Sequence, residues 1–103
     1  MSMQINVDVV GSKATIVLNG RFDFSTHSEF SNCYSSAIAN GNVSEVDVEL
    51  GNVEYLDSSA LGMLLLLSER AKIANKSVAL VNPNEMVAQV LERVKFGRIF
   101  AIR

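Results

Sequence analysis

Tryptophan is missing from this 103-residue chain, and proline, cysteine and histidine occur once each, as Pro83, Cys33 and His27. A single cysteine excludes an internal disulfide and fits a reducing compartment. Cysteine, histidine and carboxylates show no ligand spacing, so neither a metal nor a cofactor is expected. Positive charge is scattered: the nine lysines and arginines never stand side by side. A nucleic-acid surface needs clustered cations against phosphates, so no direct nucleic-acid contact is expected. The longest apolar run, Met63 to Leu67, is far too short to span a bilayer, which argues against membrane insertion. The start, Met1-Ser2-Met3-Gln4, is polar and lacks the apolar stretch of a secretion signal. The chain reads as cytoplasmic.

What is present suffices for a packed interior. Hydrophobic residues make up 49% of the chain and charged ones 19%, with a net charge of −2, a composition that excludes a disordered chain. The length suits one core, so a single domain over residues 1–103 is expected.

Ile5, Val7 and Val9 alternate with polar residues, the period of a half-buried strand. Gly11-Ser12 supplies a turn, and Ala14 to Leu18 returns as a second strand, giving an antiparallel hairpin. Asn19-Gly20 breaks this run. Thr26 with Glu29 has the spacing of a capping box, and Phe30, Tyr34, Ala37 and Ile38 then share one helix face. Gly41 suits a left-handed helix end. Val43 to Leu50 reads as a third strand, with Val46, Val48 and Leu50 on one side; after Gly51-Asn52, Val53 to Leu56 leads to the Asp57-Ser58 junction. A helix is expected from Ser58 to about Asn75, then a strand over Ser77 to Val81. Asn82-Pro83 has the form of a helix cap with proline in the first turn. Met86, Val87, Val90, Leu91 and Val94 recur at helical spacing, Phe96-Gly97 stops that helix, and Ile99 to Ile102 suits a last edge strand.

The order β-β-α-β-α-β-α-β predicts an α/β fold. A mostly parallel sheet of about five strands begins with the hairpin and carries about three right-handed crossover helices. If the second and third strands are parallel neighbours, the segment around Asp23 to His27 stands beside Asp57-Ser58, on the usual functional edge of such sheets. Ser58 sits where a helix begins, and its hydroxyl can cap that helix. The same position favours negative charge, while the neighbouring carboxylate of Asp57 opposes it. A nucleophilic triad from Ser58, His27 and Asp23 uses the right residue types. The surrounding sequence, however, is not Gly-x-Ser-x-Gly and offers no oxyanion loop, so no enzyme is expected. Cys33, at the edge of the Phe30/Tyr34 stripe, reads as a small buried filler.

Tyr55-Leu56-Asp57-Ser58-Ser59-Ala60-Leu61-Gly62 resembles the Asp-Ser-Ser/Thr-Gly-Leu-Gly signature of STAS domains, specifically the bacterial anti-sigma factor antagonists. Gly20-Arg21-Phe22-Asp23 resembles that family's Gly-x-Leu-Asp, Glu49-Leu50 its Asp-Leu, and Leu80-Val81-Asn82-Pro83 its passage into the last helix. Gly-Arg-Phe-Asp-Phe-Ser followed by the leucine-rich helix is most similar to the HsbA/CrsA-type antagonists of gammaproteobacteria. The resemblance implies partner switching in transcription regulation. The unphosphorylated antagonist holds an anti-sigma factor, a serine kinase (the anti-sigma factor itself or a related domain) phosphorylates it, and a PP2C-type phosphatase resets it. Carried onto this sequence, Ser58 is the phosphorylated residue, with Ser59 as an alternate. Asp23, Asp57, Ser58, Ser59, Leu61 and Gly62 form the partner-binding set. Ala60 departs from the family's glycine, so helical backbone is expected there. The alternative is a STAS regulatory or scaffold subunit, for example of a transporter complex, without phospho-switching. One or two leucines of the Leu61 to Leu67 stretch are expected to meet a partner, since a helix apolar on every face cannot hide all of them.

Overall fold

The computed structural model describes residues 3–103, so Met1 and Ser2 of the polar start lie outside it. The expected order of elements is found: β1 (Gln4–Val10), β2 (Lys13–Phe22), α1 (His27–Ala39), β3 (Glu45–Leu56), α2 (Ser58–Ile73), β4 (Ser77–Val81), α3 (Glu85–Arg93) and β5 (Ala101–Ile102). The strands lie side by side in the order β1-β2-β3-β4-β5. β1 pairs antiparallel with β2 through the Gly11 turn, and all later pairs are parallel. Three crossovers advancing the same way across a sheet, each right-handed, put α1, α2 and α3 on one face.

Burial agrees with that placement. Ala14, Ile16, Leu18 and Phe22 of β2, with Val46, Val48, Leu50 and Val53 of β3, pack against Phe30 and Tyr34 of α1 and Leu64 and Leu67 of α2. Phe22, Phe30 and Tyr34 pack in sequence in tilted and edge-to-face pairs, their ring centroids 4.9 and 5.4 Å apart. Met3 is also buried in this core, so the chain packs inward from before β1 begins. Among the described residues the opposite sheet face carries no helix. There Asp47 lies between Lys13 at 3.3 Å and Arg103 at 3.9 Å, which tie β2, β3 and the end of the chain together.

Several boundaries differ from the sequence expectation, each for a physical reason. Asn19-Gly20 does not end β2. Gly20 takes φ 106° and the strand continues to Phe22, a conformation only glycine adopts without strain. Gly51-Asn52 does not split β3 either. Between Val17 and Asn19 of β2 the partner advances from Glu49 to Asn52, a bulge that passes the buried side from Leu50 to Val53. Gly41 is not in the left-handed region; instead the Asn40 side chain accepts from the Asn42 N–H and turns the chain. The last helix is capped by Asn84, not Asn82. Asn84 accepts from the Val87 N–H and donates to the carbonyls of Gly51 and Val53, so one side chain anchors α3 to β3. Asn82 takes a left-handed φ of 53° and Pro83 stands outside the helix.

Candidate functional site

Parallel pairing brings the ends of β2 and β3 together, with Phe22 opposite Leu56. The next backbone bond, Asp57 N–H to the Phe22 carbonyl at 3.4 Å, carries the pairing into the loops. The expected neighbourhood of Asp23 and Asp57 therefore exists, and it is built around Asp57. One oxygen of its carboxylate accepts from the Ala60 N–H at 2.9 Å and so caps α2. The other accepts from the Phe24 N–H at 3.4 Å in the facing loop. The cap of α2 is therefore Asp57 and not Ser58. Its extended backbone, φ −111° and ψ −176°, is the conformation a capping residue needs.

Ser58 becomes the first helical residue, with its side chain exposed. A serine in that position has no capping duty, and its hydroxyl stands at the positive end of a 16-residue helix. Ser59 and Leu61 are half-buried, Ala60 is fully buried in helical backbone, and Gly62 is exposed. Ser58, Gly62 and Leu65 follow one another at helical spacing along the solvent side of α2. Leu65 is 37% exposed, and open space lies where a Gly62 side chain would stand. Leu65 is the leucine of the Leu61 to Leu67 stretch that faces outward most; Leu64 and Leu67 are buried.

Asp23 organises the facing loop. Its carboxylate accepts from the Ser25 N–H at 3.0 Å and from the Ser25 hydroxyl at 2.5 Å, closing a 3-10 turn over Phe24–Thr26. The Ser25 hydroxyl, helped by Arg21 3.6 Å away, holds the Asp23 carboxyl below the ordinary aspartate value. Thr26 does not form the expected capping box. Its hydroxyl donates to the Asp23 carbonyl at 2.7 Å instead. The Arg21 guanidinium also sits 4.0 Å above the Tyr55 ring, fastening the ends of the two strands across the loops.

This turn produces the feature that sequence reading missed. Phe22 and Phe24 have the same strand parity, which alone puts both inside. The Asp23-x-Ser25 side-chain turn bends the chain between them, leaving Phe22 buried and Phe24 73% exposed. The signal was in the sequence as Asp-x-Ser. A surface hollow of about 720 Å³ is lined by Asn19, Gly51, Val53, Asn84 and Met86 among others, and includes neither Ser58, Asp23 nor Asp57. It is open, and it lies where β3 runs on beyond the end of β4. Cys33 is a free, half-buried thiol whose pKa is pushed up by burial and by Glu29.

A five-stranded mixed sheet, three helices on one face and an exposed serine next to a capping aspartate define a class, and comparison with known proteins agrees with it. Residues 5–101 match the family described as Mlab, STAS domain; the chain belongs to the STAS domain family. A STAS-domain containing protein of Pseudomonas aeruginosa (strain UCBPP-PA14) is 40% identical over 92 residues, 89% of each chain. Among solved structures, the anti-sigma factor antagonist SpoIIAA in its unphosphorylated form superposes with a TM-score of 0.75 at 22% identity, covering 99% of this chain and 87% of its own. The phosphorylated form of the Bacillus cell fate determinant SpoIIAA gives 0.74 at 20% identity, covering 99% and 91%. At those identities the likeness is one of fold.

Proposed function

We propose that this chain is an anti-sigma factor antagonist that works by partner switching at Ser58. With Ser58 unmodified it holds an anti-sigma factor against the loop and helix surface around Asp57; phosphorylation of Ser58 releases it. The observation that carries the reading is the division of labour at the start of α2. Asp57 spends its carboxylate on the Ala60 and Phe24 amides, so the exposed Ser58 hydroxyl is free for chemistry. The kinase is a serine kinase, the anti-sigma factor itself or a related domain, and a PP2C-type phosphatase reverses the mark in the cytoplasm. Ser59, half-buried, is the lesser acceptor. The chain acts by binding and not by catalysis: the Asp23 carboxylate serves Ser25 and Arg21 and is already engaged without orienting a histidine.

Asp23 and Asp57 shape the surface more than they touch the partner, while Ser58, Leu61 and Gly62, joined by Leu65 and Phe24, supply its contact area. A phosphate adds about 1.5 to 2 negative charges. The helix N-terminus favours that by roughly 0.3–1 kcal/mol. Repulsion from a carboxylate about 6 Å away opposes it by roughly 2–3 kcal/mol at an effective dielectric near 40. The fold survives this; the complex does not. Turning mostly bound into mostly free takes about 5.5 kcal/mol of differential affinity, and repulsion supplies only part. The remainder comes from desolvating the phosphate, which puts Ser58 inside the partner footprint and not at its rim.

The test is a pull-down from native lysate with wild type, Ser58→Ala and Ser58→Asp, read by mass spectrometry. Wild type and Ser58→Ala capture an anti-sigma factor that Ser58→Asp loses. Capture of the same proteins by all three removes the switch and favours a regulatory or scaffold subunit.

A further inference from the structure

We propose that two copies of this chain associate through β1, antiparallel and about a two-fold axis at Val7, extending the two sheets into one. β1 is the edge of the sheet and pairs only with β2 among the described residues. An exposed strand edge presents unpaired N–H and C=O groups, and proteins commonly protect it with lysine, proline or a bulge. Gln4–Val10 contains neither lysine nor proline, and its register with β2 is unbroken. Its inward residues are also poorly covered. Val7 and Val9 stand opposite the core residues Ile16 and Ala14, yet are 41% and 45% exposed. They line a groove of about 330 Å³ against Cys33, Ser36, Ala37 and Asn40 of the α1 region. The α1 surface beside this groove carries no charge: the only ionisable side chains of that helix besides Cys33 and Tyr34 are His27 and Glu29, both in its first turn. Depletion of charge is the compositional mark of an interface centre.

The occupant that fits is a second copy, because the strand is complementary to itself. A two-fold axis at Val7 pairs all seven residues of β1. On the helix side Ile5 meets Val9 of the second copy and Val7 meets Val7. On the open side Asn6 meets Asp8 of the second copy, so each carboxylate faces an amide. Moving the axis to Asp8 sets the two Asp8 carboxylates against each other, which cross-strand pairing disfavours. An axis perpendicular to the sheet keeps both α1 helices on the same face. The two β1–α1 grooves then close on one another.

Light scattering across a concentration series, with amide exchange on the same samples, tests this register directly. The wild-type chain shifts from one-chain to two-chain mass, and the β1 amides gain protection over the same range. Asn6→Asp, which opposes like charges at two symmetric pairs, weakens association about fivefold; Asn6→Lys, facing Asp8, tightens it by a similar factor. Asn6 is exposed, so both variants fold, as circular dichroism verifies. A one-chain mass up to roughly millimolar concentration, at the weak end of the affinity scale, overturns the proposal. So does a dimer whose affinity neither Asn6 variant moves, or β1 protection that arises only when a different protein is added.

Discussion

At the scale of single residues, Asp57 and Ser58 are adjacent in sequence and opposite in role. Asp57 holds two backbone amides, one in the first turn of α2 and one in the facing loop, whereas Ser58 holds none of the helix's unpaired donors. Asp57→Ala is therefore expected to cost about 1 kcal/mol or somewhat more for the lost cap. For a domain of about 100 residues that is a fall of roughly 4–8 °C in melting temperature. Ser58→Ala should stay within about 0.5 kcal/mol of wild type. Thermal melts of the two variants side by side check both numbers, and equal losses would mean that the serine shares the cap. Phe24 makes the complementary case. It is an exposed apolar side chain whose backbone N–H reaches the Asp57 carboxylate, on a turn stiffened by Asp23 and Thr26. Aromatic anchors of this kind commonly dominate an interface. Phe24→Ala should leave stability within about 0.5 kcal/mol and weaken capture of the proposed anti-sigma partner about 30-fold, which is roughly 2 kcal/mol. Titration calorimetry with the purified partner measures it.

At the scale of elements, α2 shows why a helix can look apolar on every side. Ala60, Met63, Leu64, Leu67 and Ala71 face the sheet, Leu61 and Leu66 fill its flanks, and Leu65 is left to solvent. It ends in a left-handed Asn75, with the Lys76 N–H on the Ala71 carbonyl and the Asn75 N–H on the Lys72 carbonyl, the pattern that satisfies the last carbonyls. Gly62 is the odd member, a glycine inside a helix with open space beside it. Gly62→Ala should stabilise the fold by roughly 0.5–1 kcal/mol, while its added methyl separates the helix from a partner and lowers affinity several-fold. Opposite signs in melting temperature and binding are the expected result; a gain in both would remove Gly62 from the contact surface.

The existence and type of every strand and α-helix among the described residues were legible, because alternation in Ile5 to Val9 and helical spacing in Phe30 to Ile38 are strong local signals; the 3-10 turn over Phe24–Thr26 was not. The caps were not. In two places two suitable residues stood close together, and distant bonds chose between them: Asp57 won over Ser58 through the Phe24 amide, and Asn84 over Asn82 through the carbonyls of Gly51 and Val53. Neither choice can be read from a window of ten residues. At Thr26 the competitor was local, the Asp23 carbonyl three residues back.

At the scale of the whole molecule, helices on one face of a sheet give a two-layer body with extents of 33, 29 and 20 Å. The adjacency of the β2 and β3 ends was predictable from topology, since parallel neighbours must finish together. The twofold bulge of β3 against β2 was not, because it depends on how the two strands keep pace across Gly20 and Gly51. What topology supplies, then, is the meeting of the two loops; what side-chain detail supplies is which groups are already occupied when they meet.

Because the Ser58 hydroxyl takes no part in closing the helix, a mark placed on it leaves the same fold behind, with no refolding step between the two forms. If Ser58 is phosphorylated as proposed, the rhythm of the device is set by the enzymes that write and erase the mark, and the protein itself keeps the record for as long as they leave it alone.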